Sequence, residues 1–296
     1  MSIILSNSRL KVEIDKPGSI YKGTRFDYTG FIRQITLDNI HTFCGNESTD
    51  LCVSHKTGAG LSNEFGIDKP IGYENCPVGR KFMKIGVGLL TRDSFESYSF
   101  YKKYSLLPAD IETNVLDSDA VLFSCNIGET RGFSTFLKKK ITITENNLKI
   151  QYTLFNSGVE DIITNEYCHN FLAINNSPIS SSYTLELPFL IDQKKFGELV
   201  NPQKVMQIGS NIISWNGIPE SDFFISSLGS FKKNAFSWRL LQNDLKLSVS
   251  ESLFPKASQL NLWGAGHTVS PEMFFEINLK PGENVSWERQ FSFNTL

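Results

Sequence analysis

Apolar and polar residues alternate along much of this chain with a period of two. Leu148, Ile150, Tyr152 and Leu154 interleave with Lys149, Gln151 and Thr153, which describes a strand with one buried and one wet face. Ile141-Thr142-Ile143-Thr144 alternates the same way just before it. Glu145-Asn146-Asn147 between the two is turn chemistry, since Asn tolerates left-handed backbone angles. A β-hairpin is predicted there. Further strands are predicted at Leu10 to Ile14, Phe31 to Leu37, Val121 to Ile127, Ile162 to Ile174, Tyr183 to Leu187, Leu245 to Val249, Gln259 to Trp263 and Phe274 to Leu279. No segment of a dozen residues carries helical i, i+3, i+4, i+7 spacing with caps. Strands at short, turn-punctuated intervals argue for an all-β sandwich or barrel rather than βαβ units. No Pro/Gly/Ser linker, low-complexity run or repeat interrupts the pattern, so the simplest organisation is one large antiparallel domain over residues 1–296.

Composition narrows the function classes. With 40% apolar and 20% charged residues the chain can bury a sizeable core, which argues against global disorder. A net charge of −2 leaves no electrostatic footprint for nucleic acid or an anionic membrane surface. The short basic runs Lys138-Lys139-Lys140, Lys194-Lys195 and Lys232-Lys233 lack interleaved aromatics and read as solvated faces or turns. Five cysteines at 44, 52, 76, 125 and 168 form no CxxC pair, which excludes a zinc ribbon or thioredoxin-like motif and fits reduced thiols of a cytoplasmic protein. The N-terminus shows no basic segment followed by a long apolar one, and no apolar stretch approaches membrane-spanning length.

Two segments carry the candidate chemistry: Asn165-Glu166-Tyr167-Cys168-His169-Asn170-Phe171 and Val269-Ser270-Pro271-Glu272-Met273-Phe274-Phe275. One imidazole and one carboxylate suffice to move two protons at a hemiacetal. Glu276 shares the strand face of Glu272 and is a weaker rival, while Glu283 falls in a Pro-Gly turn. His41, His55 and His267 show no metal-ligand spacing, and His267 is close enough in sequence to Glu272 to share a cleft with it. The glycine-rich stretch from Gly58-Ala59-Gly60 through Gly86-Val87-Gly88 matches neither a Walker A pattern nor a dinucleotide fingerprint. It reads as a candidate binding loop whose glycines supply positive φ and close backbone approach.

Several strings in collinear order resemble the aldose 1-epimerase (galactose mutarotase-like) family. They are Gly23-Thr24-Arg25-Phe26-Asp27-Tyr28-Thr29-Gly30, Gly60-Leu61-Ser62-Asn63-Glu64-Phe65-Gly66, Phe82-Met83-Lys84-Ile85-Gly86, and Asn156-Ser157-Gly158 ahead of the His169 strand. Ser270-Pro271-Glu272, Pro281-Gly282-Glu283 and the Trp287, Arg289, Phe291, Phe293 series complete the set. The resemblance implies a β-supersandwich, a sugar or sugar derivative as ligand, and interconversion of α and β anomers without metal or organic cofactor. It further implies His169 as general acid at the ring oxygen and Glu272 as general base at the anomeric hydroxyl. The active form would then hold His169 protonated and Glu272 ionised. Arg25, Glu64 and Lys84 are the candidate hydroxyl-binding groups, and Trp263 or Trp238 a stacking platform. The His-Gly motif of galactose-specific members has no clean counterpart, Asn63-Glu64-Phe65 standing in that region. The His169 strand likewise reads Tyr-Cys-His-Asn-Phe rather than the commoner His-x-Tyr-Phe. Two other activities fit such a scaffold: a sugar-binding protein without catalysis, and a glycoside-cleaving enzyme, for which no second carboxylate is evident.

Overall fold

A computed structural model describes residues 2–230 and 236–296. Two ten-stranded antiparallel sheets and a three-stranded sheet account for the strands, and among the described residues there is no α-helix, only short 3₁₀ turns. Among the described residues no helix is long and apolar enough to cross a membrane. The first sheet runs Ser2–Ser6, Leu10–Asp15, Ile32–Leu37, Leu61–Phe65, Ile162–Asn170, Thr268–Leu279, Gln259–Ala265, Phe223–Ser230, Glu198–Val200, with His41–Thr42 beside Ile32–Leu37. The second places Asn284–Thr295 between Leu247–Phe254 and Asn147–Asn156, followed by Phe133–Thr144. Apolar side chains of both sheets form one continuous core. The alternating pattern explains this directly: Leu148, Ile150, Tyr152 and Leu154 are buried while their neighbours are exposed or half-buried.

The predicted hairpin joins Phe133–Thr144 to Asn147–Asn156, with Ile141 opposite Ile150. The left-handed residue of its turn is Glu145. Asn146 instead donates to the Phe293 carbonyl at 2.8 Å, tying the turn to the neighbouring strand. The 162–174 prediction is shorter in fact, ending as a strand at Asn170, and the 274–279 prediction is longer, starting at Thr268. The 245–249 prediction starts two residues early, because Lys246 takes a left-handed turn, and the strand runs on to Phe254. Residues 61–65 form a fully buried central strand rather than a loop. The glycine requirement there is still real: a Cβ on Gly60, at φ +59°, would lie 2.1 Å from the Ile32 carbonyl.

A polar spine crosses the core. Arg289, wholly buried, donates to Glu166 at 2.7 Å and Glu251 at 2.6 Å. Glu166 accepts from Asn63 at 2.8 Å and from the Trp287 indole at 3.0 Å. Lys139 donates to Asn63 at 2.6 Å and lies 3.2 Å from Asp27. Lys139 is therefore not the solvated residue its run suggested; in a strand its face is opposite that of Lys138, which is exposed. Lys194 and Lys195 are exposed as expected. Lys232 and Lys233 lie outside the described residues. All five cysteines are free thiols.

Candidate functional site

The strand Ile162–Asn170 is buried on both sides from Glu166 onward, and its alternation divides the work. Glu166, Cys168 and Asn170 enter the core, whereas Asn165, Tyr167 and His169 line a cavity of about 940 Å³ on the other face of the sheet. The next strand behaves alike: Met273 and Phe275 join the core, and Glu272 and Phe274 line the cavity.

Register brings the two candidate groups together. Tyr167 pairs with Phe274 and Leu172 bridges Val269, so the same register sets His169 opposite Glu272. Pro271, next to Glu272 and opposite Asn170 in the same register, has no N–H for the ladder. Side chains replace the missing bonds: the Asn170 amide donates to Ser270 Oγ at 2.8 Å, and Asn170 Nδ2 to the Pro271 carbonyl at 2.7 Å. Ser270 Oγ in turn donates to Glu272 Oε1 at 3.1 Å. His169 Nδ1 is 3.2 Å from the same Oε1, without the alignment of a hydrogen bond. The imidazole stacks on Phe171, centroids 3.9 Å apart, and meets the edge of Trp263 at 5.1 Å.

His169 is 5% and Glu272 4% exposed, so each faces the cavity through a small window. Burial raises Glu272 to about 8, the opposing pull of Arg25 and of Ser270 being smaller. Burial, aided by the Arg25 charge, drives His169 well below its ordinary value. At neutral pH the Glu272 carboxyl is thus protonated and the His169 imidazole neutral. This reverses the protonation expected from the sequence, because desolvation penalises both charged forms.

The other four candidates divide. Arg25 and Trp263 line the cavity; Glu64 and Lys84 do not. Both are fully buried behind Arg25, where Lys84 Nζ donates to Glu64 Oε1 at 2.8 Å. Arg25 donates to Glu64 Oε2 at 2.8 Å, Glu47 at 2.9 Å and the Tyr167 hydroxyl at 2.9 Å. Despite its burial, Glu64 is held below the usual carboxylate range by Lys84 and Arg25. A long lysine at the end of Lys81–Lys84, in the three-stranded sheet, and an internal acid on Leu61–Phe65, in the first sheet, satisfy each other before either can reach a ligand. Trp238 is in the core and donates to Glu251 at 2.9 Å, away from the cavity. Glu276 is exposed and Glu283 closes its turn on the Lys280 amide. His267 reaches the carbonyls of Asn46 and Glu47 at 3.2 Å, supporting the loop that carries Glu47.

Sequence reasoning missed Asn165, Tyr167, Phe274, Gln259, Asn261 and Glu47 among the lining residues. Five of these were findable, because they sit two or four positions from His169, Glu272 or Trp263 on the same strand face. Glu47 sits outside the strands and carries no such periodic signal.

No family model matches the chain, and no curated protein matches it. Solved structures do. A galactose mutarotase-like protein from Lactobacillus casei superposes with a TM-score of 0.60 at 13% identity, covering 99% of this chain and 100% of that one. A Synechocystis protein, Slr1438, gives 0.62 at 13% identity over 100% and 96%. A GalM/aldose epimerase homologue from C. elegans gives 0.57 at 11% identity over 100% and 99%. The fold is therefore the all-β architecture of galactose mutarotase-like proteins.

Proposed function

We propose that the chain is an aldose 1-epimerase-like isomerase that interconverts the α and β anomers of a sugar by opening and reclosing its ring at His169 and Glu272. The supporting observation is the pair itself: imidazole and carboxyl 3.2 Å apart on neighbouring strands, both bordering one cavity. The ring oxygen and the anomeric hydroxyl are bonded to the same carbon, so an acid and a base serving them must be neighbours.

The proton inventory closes. Transfer of the Glu272 proton to His169 across the short gap produces a carboxylate and an imidazolium. Glu272 then takes the proton of the anomeric hydroxyl while His169 protonates the ring oxygen, and the ring C–O bond breaks to leave an open aldehyde. This restores protonated Glu272 and neutral His169, the state that burial favours. Rotation about C1–C2 and the reverse steps give the other anomer. Arg25, fixed by Glu64, Glu47 and Tyr167, presents a preorganised cation to sugar hydroxyls, and Trp263 an apolar face.

Magnetisation-exchange NMR over a panel of aldoses tests the proposal. His169→Asn and Glu272→Gln are each expected to lower exchange by ~10²–10⁴-fold while leaving sugar binding within a few fold. Binding without exchange in the unsubstituted protein would establish a sugar-binding protein instead.

A further inference from the structure

The cavity extends well past the reacting pair. Its floor crosses five consecutive strands, Ile162–Asn170, Thr268–Leu279, Gln259–Ala265, Phe223–Ser230 and Glu198–Val200, each contributing a lining side chain. Strands lie about 4.8 Å apart, so the floor is about 19 Å wide, and His169 and Glu272 occupy only its first two strands. The volume of about 940 Å³ lies near the top of the ~300–1,000 Å³ range of small-molecule sites. One pyranose ring leaves most of it empty.

The unused part is furnished for a second sugar. Trp263, at the edge of the His169 ring, pairs directly across the ladder with Phe224, and both line the cavity. That sets the two aromatic residues side by side, with Cβ atoms one strand spacing apart, about 5 Å. Asn261 stands opposite Glu272 in register. Its Oδ1 accepts from the Ser227 amide at 3.0 Å and Gln259 at 2.7 Å, so its amide nitrogen is the group left to offer a ligand. At the Phe224 end the ionisable lining groups are two acids, Glu198 on the fifth strand and Asp222 just ahead of Phe223–Ser230, while the lining cations Arg25, Lys56, Lys102 and Lys103 come from outside these five strands. The two acids suit hydroxyls and disfavour an anion over Phe224.

We propose that the substrate is an uncharged reducing disaccharide or longer saccharide. Its terminal sugar lies at His169 and Glu272, and the preceding sugar lies over Phe224 and Asn261. This rests on the anomer-exchange reading for its chemistry, but the longer site stands or falls separately. The test compares glucose and galactose with disaccharides carrying each at the reducing end, together with glucose 6-phosphate, by magnetisation-exchange NMR. At least one disaccharide is expected to exceed its parent monosaccharide tenfold in kcat/KM. Phe224→Ala is expected to lower that ratio at least tenfold, and Phe224→Leu, which keeps apolar bulk but no flat face, to lower it as well with an unchanged melting profile. A monosaccharide or glucose 6-phosphate exchanged as fast as every disaccharide would overturn the proposal, as would an unchanged ratio in both variants. If nothing is exchanged, saturation-transfer NMR on the same panel decides: tenfold tighter disaccharide binding keeps the extended site and removes the isomerase. Equal binding, or none, overturns the extended site.

Discussion

Replacing Glu272 by Gln should make the protein more stable as it becomes inactive, and the gain should depend on pH. In the folded chain the Glu272 carboxyl is raised from 4.5 to about 8 by burial. A folded-state value above the unfolded one means that full stability is present below pH 4.5 and is lost as pH rises through about 8. At about 1.4 kcal/mol per tenfold change in proton affinity, the penalty is about 3 kcal/mol at pH 7 and approaches about 5 kcal/mol above pH 9. Glutamine keeps the shape and still accepts the Ser270 hydroxyl bond, yet has no proton to lose. Urea unfolding of both proteins from pH 4 to 9 measures the difference, and titrations common to both cancel. The gap should be near zero at pH 4 and should widen steadily. Exchange activity should fall by ~10²–10⁴-fold in the same variant. Parallel stability curves across this range would refute the desolvated-carboxyl account of the site.

Three further outcomes follow from the same geometry. Exchange requires one proton on the His169–Glu272 pair, so kcat should be bell-shaped, with an alkaline limb near pH 8 and an acid limb well below 6.5; a flat profile from pH 5 to 9 would contradict it. Arg289→Met strands Glu166 and Glu251 without their shared cation, and urea unfolding should show a loss of about 3–5 kcal/mol; a loss below about 1 kcal/mol would mean that the spine adds little. Glu64→Gln removes the charge that orients Arg25 at the cavity, and KM should rise about tenfold with a smaller change in kcat, about 1.4 kcal/mol of binding; an unchanged KM would separate Arg25 from sugar recognition.

What the chain encodes locally was legible in it. Alternation at 148–154 identified a strand, the side that is buried and the hairpin to its neighbour, because strand faces follow from backbone geometry within a few residues. The same rule places Tyr167 and Asn165 beside His169, and Asn261 beside Trp263, once His169 and Trp263 are chosen. The meeting of His169 with Glu272 is of another kind. It depends on the register between strands a hundred residues apart, and only the folded sheets set that. Burial is also a tertiary property: Lys139 and Lys138 are the same residue type in one basic run, yet one is sealed against Asp27 and the other is exposed. Glu64 and Lys84 illustrate the limit most clearly. Their charges invited a ligand, and packing gave each to the other. The proton's resting place on Glu272 follows from the same cause, since the local dielectric is created by everything that packs around a group and is written in no single stretch of sequence.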